Sequence, residues 1–146
     1  MRNYRMKFEA GTVNAAGAAG LAAAIDYLNQ VSFDFIQEQE LALTQRAMEG
    51  LAKVPHVHVM GSEDPANHTG IVSFTVEGVH PHDVSEILAS DGIDVRAGHH
   101  CAQPLLTYLG VHSSTRASFM FYNTLDEVDA FVKSVASIRR RMGYGE

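Results

Sequence analysis

The hydrophobic period of this chain switches from helical to strand-like at Pro55 and then alternates, and that switch restricts the fold more than any other feature. Ahead of it, residues 14–29 (NAAGAAGLAAAIDYLN) and 33–53 are rich in helix formers, and Pro55 closes the second stretch. Gly17 and Gly20 would each cost about 1 kcal/mol in an isolated helix. That loss suggests that they let another backbone approach. Beyond Pro55, His56–Met60 and Gly70–Val76 are short, β-branched and separated by the loop GSEDPANHTG.

The remaining elements continue the alternation. Pro81 opens a helix to Ser90 with Val84, Ile87 and Leu88 on one face, and Gly92 stops it. Ile93–Arg96 reads as a strand, 97–104 as a loop, Pro104–Leu109 as a short helix and Ala117–Tyr122 as a strand. Thr124 with Glu127 makes a capping-box pattern. Leu125, Val128, Phe131, Val132, Val135 and Ile138 then recur at helical spacing, and Arg139–Arg141 form a solvated helix end favoured by the dipole. Strands in sequence with short links predict an α+β two-layer sandwich, a partly antiparallel sheet covered on one face by helices. No internal repeat, low-complexity linker or second domain boundary interrupts residues 14–146.

Composition narrows the function. One cysteine in 146 residues excludes an intrachain disulfide framework and a zinc site of paired cysteines. A net charge of -6 argues against wholesale nucleic-acid binding. No apolar run is long enough to span a membrane, and MRNYRMKFEAG lacks a signal core, so a soluble, cytoplasmic protein is expected.

The sharpest local feature is Arg96-Ala97-Gly98-His99-His100-Cys101-Ala102-Gln103-Pro104. It holds the only thiol beside Arg96, His99 and His100, groups able to lower a thiol pKa. A lone cysteine is also commonly an inert small apolar residue, and both readings stay open on the residues alone. Consecutive His99, His100 and Cys101 diverge too much to ligate one ion, and nothing brings His80 and His82 to them, so no metal is expected. Arg116 opens the apolar strand, where it would fork onto a carboxylate or form a plain salt bridge. Gly11-Thr12 ahead of the first helix offers a hydroxyl and N–H groups to an anion, or simply a cap.

These residues resemble a known family. RAGHHCAQPL followed by TRASFMFYNT, with FEAGT ahead and GVHPHDV between, is similar to the C-terminal part of the SUF-type (group II) cysteine desulfurases, of the class V aminotransferases. The resemblance implies the small domain of a fold-type I pyridoxal-phosphate enzyme, with residues 1–13 on the large-domain and dimer side and 14–146 as the C-terminal small domain. The expected activity is removal of sulfur from L-cysteine, giving L-alanine and an enzyme persulfide for iron–sulfur cluster assembly. By position Cys101 resembles the sulfur-accepting nucleophile and Arg116 the arginine that pairs with the substrate carboxylate. Thr12 resembles the threonine reaching the cofactor phosphate of the partner subunit in a homodimer. Arg96 and His100 are expected to support the thiolate or sulfur path. A sulfur-acceptor protein of the SUF system is the implied partner.

Two departures stand out. Val13 replaces the family's proline after FEAGT, and none of Lys7, Lys53 and Lys133 has the context of the family's cofactor-anchoring lysine. The large cofactor-binding domain is therefore expected to be absent. Pyridoxal 5′-phosphate is expected in the full-length enzyme and not on this stretch alone, which should be inactive by itself. The alternatives are selenocysteine lyase or cysteine-sulfinate desulfinase chemistry within the family, and a stand-alone thiol carrier or binding module outside it.

Overall fold

The computed structural model describes residues 11–144, and the chain divides into two compact units, Met1–Phe35 and Ile36–Glu146. In the first, α1 (Ala15–Val31) is capped by Asn14, whose Oδ1 accepts the Gly17 N–H at 2.8 Å. No residue of α1 is buried. At Gly17 a Cβ would lie 2.7 Å from the Asn14 amide, so the glycine makes room for the cap.

The second unit is an antiparallel four-stranded sheet with helices laid on one face. Its strands are β1 (Val57–Met60), β2 (Ile71–Val76), β3 (Arg96–Gly98) and β4 (Ser114–Ser118), in the order β1-β2-β4-β3. Alternation along β2 sets the faces: Val72, Phe74 and Val76 are buried, while Ser73 and Thr75 on the other face are half-exposed. The helices α2 (Phe33–Leu51), α3 (Pro81–Ser90) and α5 (Leu125–Arg141) add Leu43, Ala47, Leu51, Val84, Leu88, Val128, Phe131, Val135 and Ile138 to that core. The Phe131 ring meets Phe74 and Phe119 edge-on, with centroids 5.7 and 5.8 Å apart. The remaining helix, α4 (Gln103–Tyr108), buries Leu106 apart from this core.

The capping box at Thr124 is present in both directions, and α3 spans the expected residues, with Gly92 at φ 78° beyond it. Four expectations need correction. The strand expected at Ile93–Arg96 begins at Arg96, because Ile93 and Val95 pack on the core without joining a ladder. The strand expected at Ala117–Tyr122 is Ser114–Ser118, since the Met120 N–H turns onto Asn123 Oδ1 at 2.9 Å. Leu125 keeps helical phase yet stays exposed at the first turn of α5. The arginine run is more than a solvated end: Arg141 binds Asp91 at 2.6 Å and Arg139 donates to the Glu77 carbonyl.

Candidate active site

The strand corrections move Arg116 from the mouth of β4 to its middle, opposite Ser73 of β2 and Arg96 of β3. Directly opposed residues of an antiparallel ladder share a face. Arg96 and Arg116 therefore emerge side by side on the face away from the main core. Like charges so placed repel. None of the ion pairs among the described residues offers either one a carboxylate, and Nε of Arg116 is buried without a partner. Two cations held together with no counter-charge make a receptor for an anion, and a planar fork suits a carboxylate.

The thiol belongs to the loop that leaves β3. The Ala102 N–H closes onto the His99 carbonyl at 2.8 Å, and the two residues between, His100 and Cys101, have φ of 54° and 56°. Two successive positive φ values are the signature of a mirror-image turn that glycine or asparagine ordinarily occupies. Here the left-handed conformation is imposed on bulkier side chains, at about 1–2 kcal/mol per residue. The result is an exposed thiol at a turn apex.

His100 turns back under that apex. Its Nε2 lies 3.1 Å from the Ser114 carbonyl and 3.0 Å from Ser114 Oγ, and Ser114 is fully buried. A carbonyl can only accept, so Nε2 carries the proton. Burial, first of all, pushes the imidazole below its ordinary pKa, helped by the charges of Arg116, Arg96 and His99, while the Ser114 bond opposes the shift. Burial thus favours the neutral ring, and its Nδ1 is buried without a hydrogen-bond partner.

These pieces enclose a cavity of about 320 Å³, with Ser73, Ser114 and Arg116 along the sheet and His100, Leu106 and Leu109 opposite. A groove of about 810 Å³ beside β1 and α2, and a cleft of about 370 Å³ at the end of α5, hold neither His100 nor Arg116. Volume does not select the site; convergent chemistry does.

Of the residues singled out in the sequence, His100 and Arg116 line this cavity; Cys101 follows His100 on the turn and Arg96 lies opposite Arg116 in the ladder, and neither is part of the lining. Thr12 belongs to the first unit, exposed, two residues ahead of the α1 cap. Lys7 and the Phe8-Glu9-Ala10 part of FEAGT lie outside the described residues. His80 and His82 stack on each other at 5.3 Å, and His80 Nδ1 accepts the His82 N–H as the cap of α3. Among the described residues no three acidic, histidine or cysteine side chains form a metal cage. Ser114 escaped sequence reasoning; its signal was the two-residue spacing to Arg116, legible only once β4 is known to begin at 114.

The fold is a small α+β domain that carries an exposed thiol on the turn after β3 and an arginine pair opposed across β3 and β4. The chain belongs to the aminotransferase class-V family, which matches residues 1–131. It is 46% identical over 138 residues to a probable cysteine desulfurase of Halalkalibacterium halodurans and 44% identical over 137 residues to one of Streptomyces coelicolor, covering 94% of this chain and 33% of each relative. Among solved structures it is similar to an apo cysteine desulfurase from Thermococcus onnurineus NA1, with a TM-score of 0.87 and 44% identity, and to the Escherichia coli cysteine desulfurase CsdA in an S-sulfonic acid form, with 0.84 and 39%. Both matches cover 92% of this chain and 33% of the other. The chain thus spans about one third of the length of these relatives.

Pyridoxal phosphate is the cofactor this family implies. The cavity contains no lysine; Lys133 on α5 lines the cleft at the other end, and Lys53 follows α2. These residues do not fit the cofactor's anchor. The Arg116 guanidinium suits a carboxylate.

Proposed function

We propose that this chain is the thiol-bearing C-terminal part of a SUF-type cysteine desulfurase, with residues 14–146 as the small domain and 1–13 directed to the large-domain and dimer side. The identity to relatives named cysteine desulfurases supports the activity. The observation that carries it is the only thiol, exposed on a left-handed turn whose His100 lines a cavity together with Arg116, an arginine with no acid partner among the described residues.

Arg116, fixed in the ladder, takes the α-carboxylate of L-cysteine by a forked pair of N–H bonds, and Arg96 adds field and a second donor set. The Cys101 thiolate attacks the substrate sulfur. The new S–S bond leaves a persulfide on Cys101 while the Cβ–S bond breaks; its electron pair stays with carbon, which takes a proton to become the methyl group of L-alanine. Pyridoxal phosphate, when bound in the complete enzyme, supplies the electron sink for that cleavage. His100 beneath the turn positions the thiol. Thr12 contributes a hydroxyl to the cofactor phosphate of the partner subunit in a homodimer.

The persulfide then passes to an acceptor protein of the SUF system for iron–sulfur cluster assembly. A free exposed thiol with no second cysteine fits the reducing cytoplasm; no helix among the described residues is long and apolar enough to cross a membrane.

In the complete enzyme, Cys101→Ser should abolish persulfide formation, read by mass spectrometry of the protein after L-cysteine, while leaving the fold intact by circular dichroism. Undiminished persulfide-dependent sulfide release from that variant would sink the assignment.

A further inference from the structure

We infer that Ser114 is the positioning residue that fixes where the Cys101 thiol stands relative to the carboxylate clamp. This deepens, and rests on, the desulfurase reading. Three observations lead to it. The turn bearing the thiol holds two consecutive side-chain-bearing residues in a conformation that each resists. A turn so strained persists only where something outside it over-determines it. Among the described residues, neither His99 nor Cys101 makes a side-chain hydrogen bond; the one side chain of the turn that does is His100, and its only partner is Ser114.

Ser114 is suited to that task by its place. It is fully buried at the start of β4, two residues before Arg116 and so on the same face, about 7 Å along the strand. One rigid stretch of ladder therefore carries both the clamp for the carboxylate and the anchor for the thiol's turn. Ser114 offers His100 two acceptors at once, carbonyl and hydroxyl. Together they select the tautomer with the proton on Nε2 and hold the ring in one orientation. That leaves Nδ1 as the ring's lone-pair face, buried and without a donor. A ring that loses the hydroxyl keeps the carbonyl, but its orientation is no longer pinned at two points.

The test uses Ser114→Ala, with Ser114→Thr as the conservative control that restores the hydroxyl. In this chain, NMR of the His100 ring should show the Nε2–H form in all three proteins, because the carbonyl remains, with the ring signals shifted and broadened by reorientation in the Ala variant alone. Hydrogen exchange at the Ala102 amide, which closes the turn, should speed up roughly 2- to 12-fold in the Ala variant, the range expected for losing one net hydrogen bond. The core amides of β2 should not change, which separates a local loss from general destabilisation. In the complete enzyme, kcat should fall by a similar factor with KM for L-cysteine unchanged, because the clamp is intact. Unchanged ring signals and unchanged Ala102 exchange in Ser114→Ala would overturn the proposal, as would equal loss in both variants. Failure of the desulfurase reading shows separately, as turnover that survives Cys101→Ser, and the ring and exchange measurements still decide the role of Ser114.

Discussion

Arg116→Met should stabilise this chain while destroying its affinity for carboxylates. Two unfavourable features end with the charge. Directly opposed like charges in a ladder, here Arg116 and Arg96, oppose folding by about 0.2–1 kcal/mol. A buried donor without an acceptor, here Nε of Arg116, costs about 1–3 kcal/mol. Methionine keeps most of the apolar stem that lines the cavity but loses part of its packing, so the net gain should be about 1 kcal/mol. For a chain of this size that is roughly a 3–4 °C rise in Tm. The repulsive share should fade at 1 M salt, where the screening length is about 3 Å. Acetate, compared with chloride at matched ionic strength, should raise the wild-type Tm and leave the variant unmoved; at ten times Kd the shift corresponds to about 1.4 kcal/mol. Thermal unfolding followed by circular dichroism at low and high salt measures all of this. If Arg116→Met melts lower than wild type at low salt, or if acetate stabilises both proteins alike, the pair is not an anion receptor.

Two further outcomes test the frame around the site. Gly50→Ala should destabilise by about 1–3 kcal/mol despite its helix preference, because the new Cβ would lie 2.7 Å from Val132 Cγ2, a stiff branched side chain; Gly50→Ala with Val132→Ala should recover most of the loss in urea unfolding. The pH dependence of stability should show two separate declines. His100 has its folded pKa below its ordinary 6.5, so the unfolded chain binds the proton first and stability falls as pH drops through about 6.5, levelling once the folded ring also protonates. Asp91, held low chiefly by Ser134, and Glu77, held low chiefly by His56, add a second decline at acidic pH. Urea midpoints at pH 7.5 and 5.5 should therefore differ in the wild type, and His100→Asn should lose that difference while keeping the acid limb.

Much of this architecture was legible because it rests on local chemistry. Pro81, Gly92 and the Thr124–Glu127 pair mark helix ends through backbone groups within a turn, and the corresponding helix boundaries fall where those residues place them. β3 and β4 shifted because a strand is defined by its partner. Ile93 and Val95 have strand-like side chains yet pair with nothing, whereas Ser114, unremarkable by propensity, is buried where β4 begins to pair with β3. The site divided in the same way. His-His-Cys after a glycine announced a reactive loop by composition. The opposition of Arg96 to Arg116, 20 residues apart, and the bond from His100 to Ser114 depend on a register that no single segment contains.

The two halves of the site differ in rigidity, and the proposed chemistry requires them to. A carboxylate clamp meets one ligand in one geometry, and Arg116 has it from the central residue of a strand paired on both sides. A sulfur carrier must meet two, first the substrate and then the acceptor, so its thiol cannot be fixed as firmly. The turn at 99–102 answers that need energetically. Strain at His100 and Cys101 of about 1–2 kcal/mol each opposes the observed conformation. The hydrogen bonds from the ring to Ser114 and from Ala102 to His99, each worth about 0.5–1.5 kcal/mol net, favour it. The two sums are close. A turn balanced in this way can hold the sulfur in one place while the ring is seated and let it move when the ring leaves, without disturbing the ladder that holds the clamp.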